Sequence, residues 1–169
     1  YTELRRRRDY DVQQTLSKAT LSLHDTRGGD TLGRVERLGQ VCDNTTHIKD
    51  PGLFALAFKH ARYLLWSSSR QDSLPANLQG VWADGLRAPW NGDYHLNINL
   101  QMTYWASSTA NLGESASVLA PFLKGLVAKG ETTAKDWYGV EKGWVAHGYT
   151  DRWRDARALG ENKWALCVT

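Results

Sequence analysis

Between Asp93 and Gln101, polar and apolar residues alternate: His95, Asn97 and Asn99 are interleaved with Leu96, Ile98 and Leu100. On a helix, residues two apart diverge by about 200°, so the two asparagines could not face one small ligand. In an extended segment, residues two apart share a face. The pattern therefore predicts extended backbone through Asn99, with three polar side chains on one side and three apolar ones pinning the other. A helix is expected just after, and its N-terminal N–H groups and dipole favour ligand oxygens. An amide does not titrate in the working range, so neither asparagine can act as a base. Its carbonyl oxygen can accept a hydrogen bond from water while its NH2 donates to a neighbouring carboxylate. Two such amides could hold one water in line for attack. An inverting glycosidase needs this opposite the leaving group, together with a carboxylic acid that protonates that group. The plainer alternative is that the asparagines cap the helix and tie down the loop. Asp84, Asp93, Glu114, Asp151, Asp155 and Glu161 lie in or near loops, but none shows a pairing diagnostic of an acid and a base. Asp151 reads as a structural hydrogen-bonder.

The elements that must position these groups are helical. Residues 1–23 read as a charged helix running into a short extended stretch, Ala19 to Leu23. Residues 25–49 form a connector broken by Gly28-Gly29, Gly33, Gly39 and Asp43-Asn44, with a brief helical turn near Leu32 to Leu38. Asp50-Pro51 is a helix start, with Asp at the cap and Pro at the first helical position. Phe54, Ala57, Phe58, Ala61, Leu64 and Leu65 then mark one apolar face to about Trp66. From Arg70 to Tyr94 no period is sustained, and a long ordered loop carrying Trp82 and Trp90 is expected. A further helix should run from about Leu100 to Leu112, with Gly113 as a left-handed cap. The stripe Val118, Leu119, Phe122, Leu123, Leu126 and Val127 marks another, with Pro121 near its first turn, followed by a Gly- and Trp-rich loop over 139–160.

Composition narrows the field. With 169 residues, one domain with a real core is expected rather than two. Lys plus Arg number 21 against 18 Asp plus Glu, a net charge of only +3, which calls for neither nucleic acid nor an anionic membrane as partner. Arg5-Arg6-Arg7-Arg8 reads as a solvated helix face. No apolar run of about 18 residues could span a bilayer. Cys42 and Cys167 make no metal spacing and no disulfide framework. Eight tryptophans are unusual, and their rigid faces suit the C–H faces of sugars as well as a core. Asn44-Thr45-Thr46 is a glycosylation sequon, in keeping with a secreted, cell-wall or vacuolar parent protein.

Longer motifs carry a resemblance. Ser68-Ser69-Arg70 with Ser73-Leu74-Pro75-Ala76-Asn77-Leu78-Gln79-Gly80-Val81-Trp82, then Asn97-Ile98-Asn99-Leu100-Gln101-Met102 and Tyr104-Trp105, resembles the signature block of glycoside hydrolase family 95 α-L-fucosidases. Gly143-Trp144-Val145-Ala146-His147 and Thr150-Asp151-Arg152-Trp153 are similar to that family's next block, and Asp9-Tyr10 with Leu21-Ser22-Leu23 to the connector before its catalytic domain.

The resemblance implies an all-α (α/α)6 toroid, flanked by β-domains and working by inversion without metal or organic cofactor. Residues 1–49 would be the connector from an N-terminal β-domain, and 50–169 the first part of the toroid, cut before it is complete. It implies removal of terminal α-1,2-linked L-fucose from oligosaccharides or glycans. Asn97 and Asn99 would position the attacking water, with His95 touching the sugar. His147, Trp82 and Trp90 are further candidates for substrate binding. Gly148 and Tyr149 stand where the family tends to have His and Asn, and Thr103 replaces a usual Asn. Trp164 to Thr169 is similar to the run before a Gly-Gly-Ala-Trp segment. The family's acid Glu and base Asp map to no residue here, so the chain alone is expected to be inactive. Two alternatives remain open: an α-L-galactosidase on the same fold, since L-galactose differs from L-fucose by one hydroxyl, and a non-catalytic glycan-binding module using the Trp-rich loops.

Overall fold

In the computed structural model, which describes residues 1–23, 33–42 and 50–157, regular structure is mostly helical. The order is α1 (Thr2–Leu16), α2 (Arg34–Cys42), α3 (Pro51–Ser68), a 3-10 turn (Pro89–Gly92), β1 (Tyr94–His95), α4 (Asn99–Tyr104), α5 (Ala106–Thr109), α6 (Gly113–Ala116), α7 (Leu119–Tyr138) and β2 (Tyr149–Thr150). The chain divides into two units, Tyr1–Tyr63 and Leu64–Thr169. The Asn44 sequon, Glu161, Cys167 and the run from Trp164 lie outside the described residues.

In the first unit, the arginine run of α1 is solvent-exposed and laced with local ion pairs. Arg6 and Arg7 each reach Glu3 at 2.9 Å, and Arg5 lies 3.8 Å from Asp9. Exposed pairs of this kind contribute little to stability, so the run is a solvated face. The end of α1 is held by Arg62, which is buried and donates to the carbonyls of Leu16 and Ala19 at 2.6 Å. Leu16 O is one of the carbonyls that a helix C-terminus leaves without an internal partner, and Ala19 lies in the stretch just beyond. Asp50 caps α3 as expected: its Oδ1 accepts from Leu53 N–H at 2.9 Å. The same carboxylate receives both forks of Arg37 at 2.6 Å, and this ion pair holds its pKa below the ordinary value. The brief turn expected near Leu32 to Leu38 proves to be a helix reaching Cys42.

The second unit is built around Tyr94, Leu96, Leu100, Tyr104, Val118, Phe122, Leu126, Ala146 and Ala156, with Leu65, Leu74 and Leu119 packed against them. α7 buries Phe122, Leu126, Gly130, Thr133 and Ala134, one stripe at three- and four-residue spacing. Pro121 sits in its first turn, and Gly139, left-handed at φ 65°, closes it.

Two expectations are corrected. The helix from Leu100 to Leu112 is not continuous: it breaks at Trp105 and again after Thr109. Short hydroxyls there bond to the backbone, Ser107 Oγ to Tyr104 O at 2.7 Å and Thr109 Oγ1 to Ala106 O at 3.3 Å, offering it alternatives to the ladder. The left-handed residue is Asn111, at φ 54°, and Gly113 opens α6 instead.

Candidate active site

The extended stretch is shorter than the alternation predicts. β1 comprises only Tyr94 and His95, paired antiparallel with Thr150 and Tyr149, and Leu96 N–H donates to Gly148 O at 2.9 Å. Residues 96–98 turn, and Asn99 begins α4, with Met102 N–H donating to Ile98 O at 2.8 Å. Leu96, Leu100 and Tyr104 are all buried, whereas Ile98 is exposed. Four-residue spacing toward one core therefore overrides two-residue spacing across a strand. His95, Asn97 and Asn99 are not three side chains in a row on one extended face. His95 is buried, Asn97 is exposed on the turn, and Asn99 is half-buried in the first turn of α4.

His95 is enclosed by aromatic rings. Trp90 and Tyr149 both meet it edge-on, with ring centroids 4.5 Å away. Its exposure is 2%, and Nε2 has no hydrogen-bond partner among the described residues. Burial lowers its pKa, against a smaller raising effect of Asp93, so the ring is neutral near pH 7. A buried nitrogen without a partner is costly.

Trp90 gains its place through an unusual backbone. Trp90, Asn91 and Gly92 are consecutively left-handed, at φ 57°, 58° and 70°. Asn and Gly tolerate that region, but for Trp it carries strain. Asn77 steadies the turn, donating from Nδ2 to Gly92 O at 2.8 Å while its Oδ1 accepts from Gln79 N–H at 2.8 Å. His95, Asn99, Asn77, Asp93 and Thr103 line a narrow crevice too tight for water. A solvent molecule held by Asn99 would therefore sit outside it.

Two buried tyrosines, to which the sequence alone assigns no role, clamp the long loop beneath this site. Tyr94 OH donates to Pro75 O at 2.7 Å, and its pKa is pushed up to about 12, mainly by burial. Tyr104 OH accepts from Ala76 N–H at 2.8 Å and shares a hydrogen bond of 2.7 Å with Ser69 Oγ. The signal lay in the spacing of Tyr104, four residues after Leu100 on the buried stripe.

The remaining candidates separate. His147 is 1% exposed and fully engaged: its Nδ1 lies 2.8 Å from Ala156 O and its Nε2 2.8 Å from Tyr138 OH. In this arrangement it secures the loop to α7 and offers no ring nitrogen to a sugar. Trp82 is 84% exposed, a free indole face on the long loop. Asp151 has the structural role expected of it, its Oδ1 accepting from Trp153 N–H at 2.8 Å and Asp155 N–H at 3.1 Å.

The glycosyl hydrolase family 95 catalytic domain matches residues 1–169. The chain belongs to family 95. Three curated relatives agree. The chain is 37% identical over 167 residues to Alpha-L-fucosidase 2 of Arabidopsis thaliana, covering 98% of this chain and 20% of that protein. It is 38% identical over 148 residues to Probable alpha-fucosidase A of Aspergillus niger, covering 87% of this chain and 18% of the relative. With its namesake in Aspergillus oryzae the identity is 39% over 150 residues, 86% of this chain and 20% of the relative. This family 95 chain thus spans about a fifth of the length of the relatives it matches. No helix among its described residues is long and apolar enough to cross a membrane.

Proposed function

We propose that this chain is part of the catalytic domain of an inverting α-L-fucosidase, with Asn97 and Asn99 positioning the attacking water and His95 and Trp90 bordering the sugar. The family match across residues 1–169, with relatives named as fucosidases, carries this reading. The unpartnered Nε2 of His95, walled by Trp90, supports it locally. The described helices are taken as the first part of an (α/α)6 toroid.

In the reaction, the water oxygen attacks the anomeric carbon opposite the leaving group. The glycosidic bond breaks with its electron pair on the departing oxygen, which takes a proton from a carboxylic acid. The water's proton passes to a carboxylate base. Neither carboxyl role is assigned to a residue of this chain. The amides contribute by fixing the nucleophile's direction, which removes entropy from the barrier. The substrate is terminal α-1,2-linked L-fucose on an oligosaccharide or glycan, and the 169-residue chain by itself is inactive.

The test is hydrolysis of 2′-fucosyllactose by the full-length gene product, with the first-formed anomer read by proton NMR. Inversion gives β-L-fucose first. Asn97→Ala or Asn99→Ala is expected to lower kcat by about 10²–10³-fold, the scale of losing one preorganised polar contact to the reacting centre. α-L-Fucose appearing first, or variants with full turnover, would overturn the proposal.

A further inference from the structure

The strained turn at Trp90 is gripped from outside by two amides of one neighbouring loop. Asn77 Nδ2 donates to Gly92 O at 2.8 Å and Gln79 Nε2 to Pro89 O at 3.1 Å, so the two ends of the turn are held separately. The Gln79 N–H also donates to Asn77 Oδ1 at 2.8 Å, which fixes the Asn77 amide with its NH2 toward Gly92. The loop that carries both amides is itself closed. Asn77 N–H donates to Gly80 O at 3.2 Å and Gly80 N–H to Asn77 O at 3.1 Å, an antiparallel bridge in which Gly80 is left-handed at φ 82°. Ala76, next in the chain, is tied to Tyr104 OH at 2.8 Å. A rigid support thus runs from α4 through residues 76–80 to the turn.

The turn needs that support. Its own bonds, Asn91 N–H to Ala88 O at 3.1 Å and Asp93 N–H to Trp90 O at 3.2 Å, are ones that right-handed turns make equally well. They do not select the left-handed form, which is unfavourable for Trp. The bonds that depend on where Pro89 O and Gly92 O point are those from Gln79 and Asn77. Without them the turn is free to relax, and the indole moves off His95. That indole touches His95 yet is 62% exposed, which leaves ring surface open to a ligand bordering His95.

We propose that Asn77 and Gln79 are positioning residues, which hold Trp90 against His95 and so set affinity for the sugar by way of that indole. The effect on affinity rests on the fucosidase reading of the site. The grip on Trp90 does not, and the two are read separately.

The grip is read by NMR on the 169-residue chain, as the nuclear Overhauser contact between the Trp90 and His95 rings. Asn77→Ala and Gln79→Ala should each weaken that contact; parental strength in both variants overturns the proposal. The effect on the site is read with the full-length gene product and 2′-fucosyllactose. Each variant is expected to raise KM about ten-fold, the scale of a displaced positioning group, with kcat within about three-fold of the parent. In a Trp90→Ala background, either change should add less than about two-fold to KM, because the residue it acts through is gone. A full further rise in that background overturns action through Trp90. So does a fall in kcat at unchanged KM, which is what loss of folded enzyme alone produces. Where Asn77→Ala does not fold, Gln79→Ala decides, since it leaves the Asn77–Gly80 bridge in place. Should the gene product not hydrolyse 2′-fucosyllactose, the fucosidase reading fails and the ring contact alone decides the grip.

Discussion

The imidazole of His95 stands edge-on to the indole of Trp90, 4.5 Å between centroids, and that indole is held there by a left-handed backbone. Burial among these rings keeps the imidazole neutral by lowering its pKa. A depressed histidine pKa costs nothing where both folded and unfolded states are neutral. As pH falls below the unfolded value near 6.5, the unfolded chain takes up a proton that the folded one resists. Stability of the second unit is therefore expected to fall as pH drops from about 6.5. In Trp90→Ala, the His95 C–H resonances should titrate closer to the ordinary value, and this acid-side loss should shrink. An unchanged titration midpoint would show that Trp90 does not set the environment of His95.

Tyr104→Phe removes one oxygen that serves two partners, Ser69 Oγ and the N–H of buried Ala76. The backbone N–H is left without an acceptor, a cost of about 1–3 kcal/mol. Urea unfolding should show that loss, and Ser69→Ala a smaller one, since its deletion leaves Tyr104 still paired to Ala76. Equal effects in the two variants would mean that the Ala76 bond contributes nothing.

How much of this was legible beforehand depends on how many physical rules agreed at each position. Asp50-Pro51 combines a side-chain cap with a preset φ, and α3 starts there. The α7 stripe repeats over several turns, and Gly139 closes it in the left-handed region. At Leu96, Ile98 and Leu100 two periods competed, because alternation and four-residue spacing share Leu96 and Leu100. Only Ile98 and Met102 distinguish them, and both are exposed, which decides for the four-residue spacing of a helix. The break at Trp105 depends on where the hydroxyls of Ser107 and Thr109 find carbonyls, which composition does not reveal. For the candidate site, the residue types pointed to His95, Asn97, Asn99, His147, Trp82 and Trp90, of which the structure brings His95 and Trp90 into contact. That His147 has both nitrogens occupied follows from Tyr138 and the carbonyl of Ala156, one across a loop and the other nine residues on.

Asp50 links the cap of α3 to Arg37, and its carboxyl pKa is lowered chiefly by that guanidinium. A depressed carboxylate stabilises above the unfolded pKa, and the contribution is lost as pH falls through the folded one. Asp50→Asn keeps a capping oxygen but removes the charge. The variant is expected to melt lower at pH 7 and to lose less further stability between about pH 4 and pH 2 than the parent does. Circular dichroism melts at several pH values would check this. Parallel curves for the two proteins would refute the ion pair's role.

Three glycines separate packing from backbone entropy. At Gly130 an added Cβ would lie 2.7 Å from the carbonyl oxygen of Val145 and 2.9 Å from Cε3 of Trp144. The Val145 N–H also donates to Gly130 O at 3.2 Å, so this strand of loop is bound to α7 and cannot step back freely. Gly130→Ala should cost about 1–3 kcal/mol, as overpacking does. At Gly125 the obstruction is the Arg154 side chain, 2.3 Å away at Cδ, which can swing aside, so the cost should be smaller. Gly39 lies inside α2 with nothing within 4 Å of an added Cβ. There, alanine removes unfolded-state freedom without a clash and should stabilise by about 0.5–1 kcal/mol. Denaturant curves on the three variants should rank them in that order. A neutral Gly130→Ala would mean that the loop bearing Trp144 does not rest on α7, and with it the placement of β2 against His95 would fail.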